Sequence, residues 1–188
     1  MITIRTIEEL EAERERQLKE WIESGEEQDG FFLDLEGADL SKANLMGANL
    51  SRANLTGANL TSAKLTDAKL NSASLKGANL SGANFTEANL NSVNLHRANL
   101  RDSSFCGASM RWTYLREAYF NHTYFFGSDL SVADLIQSDL RNSCIVGTNL
   151  MSSKITGAMI TAEQLDYLSE VYSQKFMAGF VVKELEAK

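Results

Sequence analysis

The sequence predicts an all-β solenoid, and three observations carry the prediction. A large apolar residue recurs at every fifth position without a break from Leu35 to Ile160. A small residue, nearly always alanine, stands two positions before it, as at Ala38, Ala43, Ala48 and Ala53. Nine of the twelve glycines stand two positions after it.

The period excludes both regular alternatives. A helix turns about 100° per residue, so leucines five apart would spiral around all its sides. A strand alternates faces, so they would flip from core to solvent at each repeat. Only a chain that bends once per repeat keeps every leucine inward, which makes each repeat a short extended side plus a corner. Within a side, the alanine and the leucine two residues on point the same way, into the core. The residue between them (Asp39, Asn44, Asn49, Asn54) and the two after the leucine point outward. Leu80→Ala is therefore expected to destabilise, while Asn79→Ala is expected to leave stability alone.

Glycines 37, 47, 57, 77, 82, 107, 127, 147 and 157 sit at the corners, where a turn with positive φ favours them. Eight of the nine have numbers ending in seven, so glycine favours every second corner. Adjacent sides are expected to alternate, which requires an even number of sides, and four is the natural choice.

The pentapeptides ADLSK, ANLMG, ANLSR and ANLTG resemble the pentapeptide repeat proteins, whose motif is A(D/N)LXX. The resemblance covers about two-thirds of the chain without a gap in register. It implies their right-handed quadrilateral β-helix, with four repeats in each twenty-residue coil. Leu40, Leu60, Leu80, Leu100, Phe120 and Leu140 then form one inward column. Leu45, Leu65, Phe85, Phe105, Phe125 and Ile145 form the next.

A solenoid needs its ends covered, because they expose apolar core and unpaired backbone. Residues 1–30 are expected to form an N-terminal capping helix and linker. Thr6 and Glu9 form a capping box, Ile7, Leu10, Leu18, Trp21 and Ile22 form a partial apolar stripe, and Gly25 ends the helix. Residues 31–160 form the β-helix. Residues 161–188 form a C-terminal helical cap opened by Thr161 and Gln164, with Leu165, Leu168, Tyr172 and Phe176 on one side and Gly179 as its stop. The tail FVVKELEAK adds a further helical turn or folds back.

Charge is segregated along the chain. The total of −7 divides into −6 for residues 1–30, +1 for 31–160 and −2 for 161–188. The body is near neutral and the acidity terminal. No apolar run reaches the roughly 20 residues of a membrane span, and the N-terminus lacks a signal-peptide core, so a cytoplasmic protein without membrane contact is expected. Cys106 and Cys144 form no CxxC pair and are expected to stay reduced, nearly two coils apart.

Catalytic chemistry finds no foothold in the pattern. His96 and His122 are far apart in the coil, the cysteines do not join them in ligand spacing, and no serine has triad partners. The glycines are corner residues rather than a phosphate loop. Neither an enzyme nor a cofactor is expected.

Two outward features stand out. In RWTYLREAYFNHTYFF, residues 111–126, Tyr114, Tyr119 and Tyr124 take outward positions normally held by Asn or Asp, with Trp112 and Phe126 beside them and Arg111 and Arg116 adding charge. This aromatic girdle either stacks along the coil or lies under a terminal segment, or it serves as a binding surface. Lys76, His96 and Arg116, twenty residues apart, form a basic column with Arg97 and Arg101 nearby, relieved by Glu117 and Asp102.

The expected function is a non-catalytic scaffold that binds another protein, as a monomer, with a dimer through the C-terminal segment as the alternative. The resemblance implies a second reading, the DNA mimics that bind DNA gyrase or topoisomerase in quinolone resistance, but such a mimic needs an acidic rod. Single-stranded nucleic-acid binding through the tyrosines and arginines is a third. The shortness of the basic stripe and the net negative charge weigh against nucleic acid.

Overall fold

The computed structural model describes residues 33–182, and within them the five-residue period is a coil of four sides. Parallel bridges join residues twenty apart in unbroken succession, from Asp34 with Asn54 to Asp139 with Met159. Each coil is tied to the next by backbone bonds of three kinds. Leu35 N–H donates to Asn54 O at 2.7 Å, Asn54 N–H to Leu33 O at 2.9 Å, and Gly37 N–H to Thr56 O at 2.9 Å.

The core follows from the side geometry. The central residues of both predicted columns are buried, and Leu80, Leu100, Phe85 and Phe105 have no exposed surface. Three phenyl rings stack along one column, Phe85 on Phe105 at 4.8 Å and Phe105 on Phe125 at 5.5 Å. The small inward positions shift from alanine to hydroxyl residues in the later coils. The buried hydroxyls are satisfied locally: Thr113 Oγ1 donates to Met110 O at 2.6 Å and Thr123 Oγ1 to Leu100 O at 2.7 Å.

The corners correct the reading of the glycines. Each corner closes with a bond from the following small residue to the central one, as from Ala38 N–H to Leu35 O at 3.0 Å. The second corner residue has positive φ at all positions from Gly37 to Gly157, which is the pattern of a type II turn. Sixteen of these residues are not glycine, among them Lys42, Trp112 and Val132. Adjacent sides therefore do not alternate in backbone. Glycine marks corners where the left-handed conformation is free of strain, and the count of four rests on the bridges instead.

The outward Asn and Asp are more than solvated. Their Oδ1 atoms accept from the N–H two residues on, as from Ser41 to Asp39 at 3.0 Å and from His96 to Asn94 at 3.0 Å, which fixes the corner. Their amides also reach the neighbouring coil, as Asn59 Nδ2 does to Asp39 Oδ1 at 2.9 Å. Asn79 Oδ1 accepts from Ser81 N–H, Ser81 Oγ and Asn99 Nδ2. Asn79→Ala is thus expected to cost roughly 0.5–1.5 kcal/mol rather than nothing, and Leu80→Ala roughly 2–5 kcal/mol. Urea unfolding of the two variants checks the order, and equal losses would invert inside and outside.

The chain after the last side folds back on it. Strand β1 (Ala158–Ile160) is followed by helix α1 (Ala162–Ser169), helix α2 (Gln174–Met177) and strand β2 (Phe180–Val182). The predicted capping box is present: Thr161 Oγ1 accepts from Gln164 N–H, and Gln164 Oε1 accepts from Thr161 N–H. The single helix expected to run to Gly179 instead breaks after Ser169, and the described part of the tail, Phe180–Val182, folds back as a strand paired parallel with β1. Folding back satisfies backbone groups that a further coil would have met. Gln164 Nε2 donates to Leu140 O at 2.8 Å, and Gly147 N–H and Leu150 N–H donate to the hydroxyls of Tyr167 and Tyr172, each at 2.7 Å. Gly179 is required by closeness, since a Cβ there would stand 2.8 Å from Ile155 Cγ1. The expected N-terminal helix and linker, residues 1–30, lie outside the described residues.

Candidate interaction surface

The coil from Arg111 to Phe126 departs from the Asn/Asp pattern with aromatic side chains, where Lys64, Lys69 and Ser74 depart from it with lysine and serine. Tyr114, Tyr119 and Tyr124 keep their bridges to the coils on either side, so the frame is intact. A tyrosine there has no oxygen at Oδ1 to accept from the corner N–H. The turn bonds received by Asn94 and Asn99 in one neighbouring coil, and by Asp134 and Asp139 in the other, have no counterpart in the girdle coil among the described residues. Trp112 adds a further cost, because its φ of 62° places a bulky residue in the left-handed region. The ladder also stretches here. Trp112 N–H reaches Ser131 O at 3.3 Å, where Ser92 N–H one coil earlier reaches Arg111 O at 2.8 Å.

What the coil gains is exposed ring surface. Trp112, Tyr114, Tyr119, Tyr124 and Phe126 are each 52–60% exposed. Tyr124 lines a cleft with Thr161, Glu163 and Gln164 of the C-terminal segment yet stays half exposed, and among the described residues no ring pair joins the five. The tyrosines occupy three consecutive sides of one coil. They face different directions, unlike the platform on which successive bases of one strand would stack. Arg111 and Arg116 lie near Asp129 and Asp134 of the next coil, at 3.9 and 3.6 Å.

The basic column forms as spaced. Gly57 N–H donates to Lys76 O, Gly77 N–H to His96 O, and Arg97 N–H to Arg116 O, so Lys76, His96 and Arg116 follow one corner down three coils. Arg97 Nε donates to Glu117 Oε2 at 2.8 Å, as expected of a relieving carboxylate. Asp102 does not relieve the column. It faces His122 across 3.4 Å on the next corner, beside Arg101. The two histidines therefore sit on different corners, with His96 Nδ1 3.0 Å from Arg116 O.

Glu117 reports the local field. Its carboxyl is held below the usual range by the Arg97 hydrogen bond, with the charges of Arg97, His96 and Arg116 adding. The pair's contribution is full above the unfolded pKa of a glutamate and is lost as pH falls through the lowered folded value. Arg97→Ala is expected to move the Glu117 midpoint back up in an NMR titration. An unmoved midpoint would mean that the pair does not persist in solution.

Cys106 and Cys144 are free thiols. Among the described residues no group of His, Cys, Asp and Glu is placed to hold a metal ion, and no helix is long and apolar enough to cross a membrane.

The sequence pattern described as pentapeptide repeats matches residues 33–67, 63–102, 94–131 and 120–157, with eight copies. The chain belongs to the pentapeptide repeat family. The girdle coil falls inside the matched range, so its departures are substitutions within the family pattern rather than an insertion. No curated protein matches the chain significantly. Among solved structures, QnrB1, a plasmid-mediated fluoroquinolone resistance protein in a trypsin-treated form, is 24% identical over 81% of this chain and 87% of that one, with a TM-score of 0.34. The pentapeptide repeat protein Rfr23 from the cyanobacterium Cyanothece 51142 is 24% identical over 47% of this chain, with a TM-score of 0.31, and the match spans 57% of that protein. A pentapeptide repeat protein of the Arabidopsis thaliana thylakoid lumen is 26% identical over 74% of this chain and 79% of that one, with a TM-score of 0.24.

Proposed function

We propose that this pentapeptide repeat protein is a non-catalytic scaffold that binds another protein through its aromatic coil. The observation that carries the reading is the concentration of exposed aromatic rings in that coil. Three tyrosines replace residues that fix corners elsewhere, Trp112 stands where glycine is strain-free, and all of this presents rings that remain more than half exposed. Local rules are broken with a compensating gain mainly where a function selects the exception. Exposed Trp, Tyr and Arg are also the side chains that most often anchor interfaces.

The rest of the reading concerns how the scaffold is organised. The repeats form a right-handed β-helix whose C-terminal end is covered by the segment from Thr161 to Val182, and the protein acts as a cytoplasmic monomer. The body's charge of +1 argues against mimicry of duplex DNA, which asks for an acidic rod.

The test is recovery of a partner from extracts of the source cell with the intact protein and with a Tyr114→Ala/Tyr119→Ala/Tyr124→Ala variant. A protein retained by the first and lost by the second, with both folded by circular dichroism, supports the reading. Equal recovery by both would end it.

A further inference from the structure

The two outward features separated in sequence meet on one side of the coil. Asn79, Asn99 and Tyr119 follow one another along this side through their bridges. One of its corners carries Lys76, His96, Arg97 and Arg116, and the other carries Arg101 and His122. Over three coils these two corners hold four permanent cations, Lys76, Arg97, Arg101 and Arg116, and two carboxylates, Asp102 and Glu117. Both carboxylates are committed, Glu117 to Arg97 at 2.8 Å and Asp102 to His122 at 3.4 Å. Lys76 and Arg101 are exposed and enter no ion pair among the described residues.

From this juxtaposition we propose that the side bearing Asn79, Asn99 and Tyr119 binds an acidic, extended protein segment. The segment's carboxylates lie between Lys76 and Arg101, and one of its apolar residues packs on Tyr119. The inference rests on the reading that this chain works by binding protein, and it adds where the partner binds and its charge. Three coils at about 4.8 Å span roughly 10 Å, which an extended segment of about four residues covers at ~3.3 Å per residue. Charge complementarity favours a short acidic peptide over a nucleic acid. In the next coil of this side Arg141 is paired with Asp139 at 2.8 Å, and a chain with a net charge of −7 repels a long polyanion.

The experiment is fluorescence anisotropy with the full chain at low ionic strength, using three labelled probes: an acidic peptide of about twelve residues built from Asp, Glu, Leu and Ser; its Asn and Gln isostere; and oligo(dT) of similar length. The acidic peptide is expected to bind, to weaken as salt is added, and to lose tenfold or more with Lys76→Glu/Arg101→Glu. Tyr119→Ala is expected to weaken it severalfold. Lys64→Glu/Lys154→Glu makes the same change in net charge on other sides and is expected to alter binding by less than twofold. Circular dichroism verifies that each variant is folded. The inference is overturned by absence of binding, by equal binding of the isostere, by an equal loss in the Lys64/Lys154 variant, or by tighter binding of oligo(dT). Failure here alongside a tyrosine-dependent partner removes only the acidic site. The reverse pattern removes only the girdle.

Discussion

Phe105→Ala is expected to lower the free energy of unfolding by about 3–5 kcal/mol, more than any substitution of an outward residue. The ring has no exposed surface and lies between two others, nearly parallel to Phe85 at 3° and to Phe125 at 14°. Phe125 in turn meets Phe120 of the neighbouring side at 5.5 Å. Truncation leaves a gap that its neighbours cannot readily close, because the coil spacing is set by backbone bonds. Phe85 N–H to Ser104 O and Phe105 N–H to Tyr124 O, both 2.7 Å, hold the three coils apart whatever fills the interior. Position matters as well as size. In a solenoid each coil is stabilised chiefly by its two neighbours, so a defect in a middle coil weakens both interfaces. Urea unfolding followed by circular dichroism measures the loss. A cost below about 1 kcal/mol would mean that the columns do not pack as continuous stacks. A fall in the denaturant slope would show that the two halves had begun to unfold separately.

The inward half of each repeat was legible in the sequence because one physical demand fixes it. A residue such as Leu80 or Phe105 must be apolar wherever the chain bends every five residues, and nothing in its neighbourhood changes that. The outward half answers to several demands at once, and there the reading went astray. Asn79 looks like a solvated polar residue, yet its side-chain oxygen accepts three bonds that fix its own corner and reach the next coil. The signal was present in the regular Asn or Asp one position before each leucine, since free solvation does not select a residue so narrowly. Glycine misled for a related reason. Its preference for alternate corners has no counterpart in the backbone, since Lys42, Ser62 and Asp67 adopt the same conformation without it, and a Cβ at Gly37, Gly47 or Gly57 would meet nothing within 4 Å. The break after Ser169 was beyond pattern reading, because the apolar spacing of Leu165, Leu168, Tyr172 and Phe176 continues through it. It depends on tertiary contacts instead: the Tyr172 hydroxyl meets Leu150 N–H, and β2 pairs with β1. At the girdle, the sequence showed which residues were exceptional, but not that Tyr119 shares a side with Arg101 and Lys76.

Trp112→Gly is expected to separate stability from binding by moving them in opposite directions. An L-residue in the left-handed region costs roughly 1–2 kcal/mol, and Trp112 is held there at a φ of 62°. Glycine removes that cost and gives back about 0.5–1 kcal/mol through the greater freedom of the unfolded chain. The net is a gain of about 0.5–1 kcal/mol in stability, because the ring is 55% exposed and contributes little burial. The same truncation removes one of the largest apolar surfaces on the girdle. If Trp112 anchors the partner, affinity should fall by about 2 kcal/mol or more, roughly thirtyfold. Chemical denaturation and titration against the recovered partner read the two effects in one preparation. A stability loss above about 1 kcal/mol with unchanged affinity would show that the ring packs on its own protein. A rise in stability with a thirtyfold loss of affinity would show that this corner departs from glycine for the sake of its partner.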